Sequence, residues 1–248
     1  MSTAASRLTK DQLAARIAAD IPRGSYVNLG IGQPTLVADH LDLDSGVVLH
    51  TENGMLGMGR AATGDEIDPD LTNAGKVPVI ETPGCSYFHH ADSFAMMRGG
   101  HLDVCVLGAF QVSETGDLAN WHTGAPDSIP AVGGAMDLAV GAKEVLVMMT
   151  LFGKDGRSKL VPELTYPATG LACVSRVYTD HGVFEVRSDG LLVIETFGCT
   201  VAGLMNSTGL ALRDGPRWQS EHAQVVSHSG ADRATPRAVS PSATPGRG

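Results

Sequence analysis

Two runs of consecutive apolar residues, Val104-Cys105-Val106-Leu107 and the stretch 145–149, constrain the fold more than anything else in the sequence. A strand that is apolar at every position has to be covered on both faces, which is how parallel strands with crossover helices are built. The segments between such runs read as helices. Thr9 with Gln12 forms a capping box, and Leu13, Ile17 and Ile21 recur every fourth residue, so a helix is predicted over 10–20 and is stopped by Pro22-Arg23-Gly24. A strand at 26–29, a tight loop at Gly30-Ile31-Gly32-Gln33 and a helix opened by Pro34 follow. Further strands are expected at 47–50, 77–81, 102–107, 173–178, 183–186 and 191–195, and helices at 86–98 and 134–142. The fold class is therefore α/β, an open, mainly parallel sheet with helices on both faces. Ser188-Asp189-Gly190 joins the last two strands as an antiparallel hairpin at an edge.

A chain of 248 residues, 43% hydrophobic, suffices for one large domain with a real core, which is placed at 1–212. From 213 to 248 the composition turns to Ser, Pro, Ala, Thr, Arg and Gly, and a disordered tail is expected there. The formal net charge of -9 argues against a nucleic-acid surface. No run approaches the length that spans a bilayer and the start has no apolar signal region, so a cytoplasmic protein is expected. The cysteines at 85, 105, 173 and 199 form no Cys-x-x-Cys pair and read as reduced thiols, three of them beside apolar residues and assigned to the core.

In open α/β sheets, ligands bind beyond the carboxyl ends of the strands. Three segments fall at such places: Asn28 to Thr35, Glu52-Asn53-Gly54 and Gly133-Gly134-Ala135. Asn-Gly is also a strong hairpin-turn signal, and on that reading Glu52 is only a solvated turn residue. The glycine-rich segment 55–59 does not alternate like a strand and is expected to be flexible, so a simple hairpin fits it poorly. A third reading is a dinucleotide fingerprint in an oxidoreductase, with Gly30-x-Gly32 after a strand and an acid about 20 residues on. Thr35 replaces the third glycine and Pro34 stands in the first helical turn, which makes this a minor alternative. No His/Cys grouping has metal-ligand spacing, so no metal is expected. His89 and His90 open a predicted helix, His122 lies in a loop after Trp121, and Lys76 follows Asn73-Ala74-Gly75; spacing alone does not choose between solvated and ligand-binding roles for them.

From Thr9 to about Ala202 the sequence resembles the B subunits of 3-oxoacid CoA-transferases. The resemblance rests on an ordered series: Val27-Asn28-Leu29-Gly30-Ile31-Gly32, Glu52-Asn53-Gly54-x-Leu56-Gly57-Met58-Gly59, Asp70-Leu71-x-Asn73-Ala74-Gly75-Lys76, Ser93-Phe94-Ala95-Met96-x-Arg98-Gly99-Gly100-His101, Gly116-Asp117-Leu118-Ala119-Asn120-Trp121 and Gly133-Gly134-Ala135-Met136-Asp137-Leu138. It implies a CoA-transferase-like fold, and Glu52 as a nucleophile that passes through an acyl anhydride to a glutamyl-CoA thioester. It implies oxyanion or CoA contacts from Asn28, Gly30, Gly32, Lys76, Gly133 and Gly134. CoA is then a substrate, no cofactor is needed, and a separate A subunit completes the site. Tyr87 to Phe94, Trp121 to Gly124 with Ser128 to Gly133, and Ser158 to Pro167 point within the family to 3-oxoadipate as acceptor, ahead of acetoacetate, with succinyl-CoA as donor. The second carboxylate of such an acceptor needs a partner, for which His90, Arg98 and His122 are the candidates. The chain departs from the family pattern at Thr150-Leu151-Phe152-Gly153 and His181-Gly182.

Overall fold

The computed structural model describes residues 6–215 apart from 126, 128 and 132. Helix α1 spans Lys10–Asp20, with the Thr9 hydroxyl accepting from the Gln12 amide and the Gln12 side chain accepting from the Thr9 amide. Strand β1 (Tyr26–Leu29) leads to a 3-10 helix at Gln33–His40, then β2 (Val48–Thr51), β3 (Met55–Ala61), β4 (Val79–Tyr87) and helix α2 (His90–Arg98). After β5 (Val104–Gly108) come β6 (Gln111–Ser113), β7 (Leu118–Ala119), α3 (Ala135–Gly141), β8 (Glu144–Met149) and β9 (Leu160–Val161). The described part ends with β10 (Arg176–Thr179), β11 (Gly182–Arg187), β12 (Gly190–Thr196), α4 (Val201–Thr208) and β13 (Arg213–Asp214).

The main sheet has the order β13-β12-β11-β10-β8-β5-β1-β2-β3-β4. Its centre, β10-β8-β5-β1-β2, is parallel throughout. The reason lies in the apolar runs. On β5, Cys105 and Leu107 join one core while Val104 and Val106 join the other, and β8 divides Val145, Val147 and Met149 from Leu146 and Met148 in the same way. One core is covered by Met97 of α2, Leu138 of α3 and Leu204 of α4, the other by Leu13, Ala14 and Ile17 of α1. Each of these side chains is almost wholly buried, worth roughly 1.5–3 kcal/mol for a Leu, Ile or Val.

The hairpin expected around Ser188-Asp189-Gly190 is β11–β12, and it stands one strand in from the edge because β13 pairs parallel to β12. Arg213 and Asp214, at the expected start of the tail, thus belong to the sheet; residues 216–248 lie outside the described residues. The opposite edge differs from expectation. The segment at 55–59 is no flexible loop: β2, β3 and β4 form an antiparallel meander, with Glu52-Asn53-Gly54 as the β2–β3 turn. Alternation is lost in β3 because its pairing is broken by register shifts and its glycines sit under the neighbouring strand; a Cβ on Gly59 would lie 2.6 Å from Ile80 Cγ1. The helix expected from residue 86 begins at His90, since 79–87 remain extended, and His89 caps it by accepting from the Ala91 amide. The segment after Pro34 is 3-10 rather than α, and β6, β7 and β9 form a small second sheet that no local pattern announces. Of the four free cysteines only Cys105 is fully buried.

Candidate active site

The loops that follow β1, β2, β5 and β8 enclose a cavity of about 730 Å³, within the usual range for small-molecule sites. Glu52 enters it from the β2–β3 turn. That turn is held from both sides: the Gly54 amide donates to the Thr51 carbonyl (3.1 Å), the Phe88 amide donates to the Gly54 carbonyl (2.9 Å), and Asn53 Nδ2 donates to the Thr72 carbonyl (2.9 Å). Gly54 has φ +109°, and a Cβ there would sit 2.2 Å from the Phe88 carbonyl oxygen, so only glycine fits.

The Glu52 carboxylate lies against the backbone that opens α3. A Cβ on Gly134 would be 2.3 Å from Glu52 Oε2, and one on Gly133 would be 3.9 Å from Oε1. Gly134 therefore makes room for the carboxylate, whereas a Cβ on Gly133 would meet it at ordinary contact distance. Phe94 of α2 stands nearby, its Cζ 3.5 Å from the same Gly134 Cβ position.

Behind Glu52 runs a buried polar chain. Asn28 Nδ2 donates to the His50 carbonyl (3.1 Å) and to His50 Nδ1 (3.0 Å), so both of its amide hydrogens are committed to that residue. His50 Nε2 then carries the ring proton and donates to Ser93 Oγ (3.0 Å), which donates to the Thr51 carbonyl (3.0 Å) beside Glu52. His50 is 1% exposed and stacks on Phe88. Burial lowers its pKa to about 4, which keeps the ring neutral at neutral pH.

Among the described residues that line the cavity, Glu52 and Lys159 alone have ionisable side chains. Lys159 stands just before β9, its amide donating to the Leu151 carbonyl (2.8 Å) beyond the end of β8. Burial lowers its pKa below the ordinary lysine value, with the Asp180 charge acting in the opposite direction. Its ammonium makes no ion pair among the described residues. Gln33 Oε1 is buried in the cavity wall without a hydrogen-bond partner among the described residues, an acceptor in want of a donor.

Six of the residues singled out in the sequence meet here: Glu52, Asn28, Gly30, Gly32, Gly133 and Gly134. Four do not line the cavity. Lys76 adopts φ +62° at the end of the Asn73–Gly75 loop, whose other residues do line it. Arg98 is largely exposed, with Nε 2.6 Å from Asp137 and its guanidinium over the Phe94 ring. His90 packs on Phe94, and His122 packs on Trp121 and accepts from the Gly124 amide. His50, Ser93 and Lys159 escape a reading of the sequence because each depends on a contact across many residues of chain; His50, next to the turn, carries the one usable sign, a histidine inside an apolar strand. Among the described residues no group of three His, Cys, Asp or Glu side chains is arranged to hold a metal, and no helix is long and apolar enough to cross a membrane.

Residues 10–196 match the family model described as Coenzyme A transferase. The chain is 63% identical over 193 residues to the B subunit of 3-oxoadipate CoA-transferase of Pseudomonas putida, covering 78% of this chain and 90% of that protein. It is 44% identical over 186 residues to the B subunit of succinyl-CoA:3-ketoacid coenzyme A transferase of Helicobacter pylori, covering 75% and 89% respectively. Among solved structures, an acyl-CoA transferase from Escherichia coli O157:H7 superposes with a TM-score of 0.66 at 20% identity, over 84% of this chain and 42% of that one. The last likeness is one of fold, and this chain spans less than half of that longer protein.

Proposed function

Since this chain belongs to the coenzyme A transferase family, we propose that it is the glutamate-bearing subunit of a two-subunit enzyme that moves CoA from succinyl-CoA to 3-oxoadipate. The observation that carries the chemistry is the Glu52 carboxylate, held on a glycine-locked turn against Gly133 and Gly134 inside the cavity. The identity of 63% with a 3-oxoadipate enzyme, against 44% with a 3-ketoacid enzyme, supports the choice of acceptor over acetoacetate.

In this scheme a Glu52 oxygen adds to the thioester carbonyl of succinyl-CoA, and collapse of the adduct expels the CoA thiolate and leaves a mixed anhydride. The thiolate adds to the glutamyl carbonyl and expels succinate, which leaves CoA on Glu52 as a thioester. The acceptor carboxylate then runs the two steps in reverse and restores the free glutamate. CoA is thus a substrate, and the scheme requires no metal or organic cofactor.

Each adduct places negative charge on an oxygen beside Glu52, and pre-positioned donors there are worth about a hundred- to a thousand-fold in rate. We assign that contact to the Gly133–Gly134 backbone. Asn28 is assigned a positioning part instead, because its amide hydrogens already hold His50 and through it the turn. Both relatives are named as B subunits, and an A subunit is the partner with which this chain acts.

Intact-mass spectrometry of the reconstituted pair after exposure to succinyl-CoA tests the reading. A CoA adduct mapping to the Glu52 peptide, lost in Glu52→Ala, is expected; an active complex without it would refute the mechanism. Turnover on 3-oxoadipate should exceed that on acetoacetate, and the opposite order would overturn the acceptor assignment.

A further inference from the structure

Lys159 is the one cation in the wall of the cavity among the described residues, and nothing in the chemistry above uses it. Glu52 and the glycines facing it account for the reacting carbonyl. The remainder of the substrate pair poses a separate electrostatic problem. Succinyl-CoA and 3-oxoadipate each keep a second carboxylate at the far end of the acyl chain while the first end reacts. A carboxylate brought into a half-enclosed cavity loses hydration and needs a cationic or donor partner.

The placement of Lys159 suits that need. Glu52 follows β2 and Lys159 lies beyond the end of β8, and β5 and β1 stand between those strands. Three strand spacings put the two backbones roughly 14 Å apart, and each side chain closes part of the gap from its own end. An acyl chain reacting at Glu52 and extended across the carboxyl ends of β1 and β5 therefore runs toward the ammonium. The four-carbon stem of lysine lets one ammonium follow carboxylates at two chain lengths. Asp180 influences the ammonium but does not pair with it, and its Oδ1 accepts from the Leu151 amide (2.9 Å). The other cationic candidates are engaged or placed elsewhere: Arg98 is paired with Asp137, and His90 and His122 stand outside the cavity wall.

We propose that Lys159 receives the distal carboxylate of the acyl group, that of succinyl-CoA in one half of the reaction and that of the 3-oxo diacid in the other. This rests on the function proposed above. It makes Lys159 the residue that separates dicarboxylic from monocarboxylic acyl groups.

The test is the rate of Glu52–CoA thioester formation in the two-subunit complex, followed by intact mass, with succinyl-CoA and with acetoacetyl-CoA, which lacks a second carboxylate. Lys159→Met is expected to lower kcat/KM for succinyl-CoA by roughly 30-fold or more, the scale of losing one partner of a desolvated charge pair. The rate with acetoacetyl-CoA should stay within about threefold. Lys159→Arg should keep most of the preference for succinyl-CoA, and Lys159→Gln, which retains polarity at that position, should lose it as the methionine variant does. Removal of an ammonium that no carboxylate of the described residues pairs with should not lower the melting temperature. An equal fall with both thioesters would place Lys159 on the CoA moiety and overturn the proposal, as would no fall with either. Absence of a thioester in the wild-type complex would instead remove the underlying function, while a wild-type thioester with an unchanged ratio in Lys159→Met would remove this inference alone.

Discussion

Gly134→Ala isolates the geometry of Glu52 from the stability of the fold. At Gly134 the backbone has φ -71° and ψ 0°, which alanine adopts without strain. The new methyl group, however, would start 2.3 Å from Glu52 Oε2 and 3.3 Å from Cδ. Contact distances near 3.5 Å are the optimum for such atoms, so the carboxylate has to retreat by about 1 Å. It is the end of a flexible side chain and can do so without unfolding anything. Replacing glycine by alanine at a helix N-cap costs about 0.5–1 kcal/mol, a few degrees of melting temperature. A displacement of about 1 Å at a reacting group costs on the order of a hundredfold in rate. The variant should therefore melt close to the wild type, assemble with its partner, and form the glutamyl-CoA thioester about a hundredfold more slowly. Pre-steady-state intact-mass sampling reads this directly. Wild-type thioester formation, within about threefold, would show that Gly134 does not set the position of the nucleophile.

The remaining expectations follow from groups around the cavity and in the core. His50 has a folded-state pKa near 4 against an ordinary 6.5, so the unfolded chain takes up the proton first as pH falls. Its contribution is complete above pH 6.5 and is lost between 6.5 and 4 at up to about 1.4 kcal/mol per pH unit. Urea melts at pH 7.5 and pH 5 should show His50→Gln losing about 2 kcal/mol less than the wild type over that interval, and equal losses would contradict the buried neutral ring. Asp20 has a side chain only 1% exposed, accepts from Tyr178 Oη (2.8 Å) and pairs with Arg16 (2.5 Å) and Arg176 (3.6 Å). Asp20→Ala should destabilise by about 3–5 kcal/mol in denaturant titration while the folded fraction keeps its activity. Arg98→Met and His122→Ala should leave the kcat/KM ratio of 3-oxoadipate to acetoacetate unchanged, and a shift of tenfold in either would return that residue to the acceptor site.

What was legible in the sequence was what local pattern can encode. The capping box at Thr9 and Gln12, the all-apolar runs of β5 and β8, and the hairpin around Asp189 depend on neighbours a few residues apart, and the structure has them at the expected residues, with the hairpin one strand in from the edge. The β3 strand escaped because its glycines answer to β4 across the sheet, and no period within the strand reports a constraint imposed from outside it. The same holds for the site. Glu52 and its glycines were visible as motifs, whereas the partnership of Asn28, His50 and Ser93 joins three elements, and Lys159 becomes notable only once the described residues of the wall prove to hold no other cation.

That wall has a chemical consequence. Among the described residues lining the cavity there is no histidine, cysteine or tyrosine, and the nearby His50 has both ring nitrogens engaged. Exchange of an acyl group between a carboxylate and a thiolate begins and ends with anions and moves no proton at any step. A pocket made for that exchange can dispense with an acid–base relay, and a solvent deuterium isotope effect close to unity on thioester formation would be its kinetic imprint.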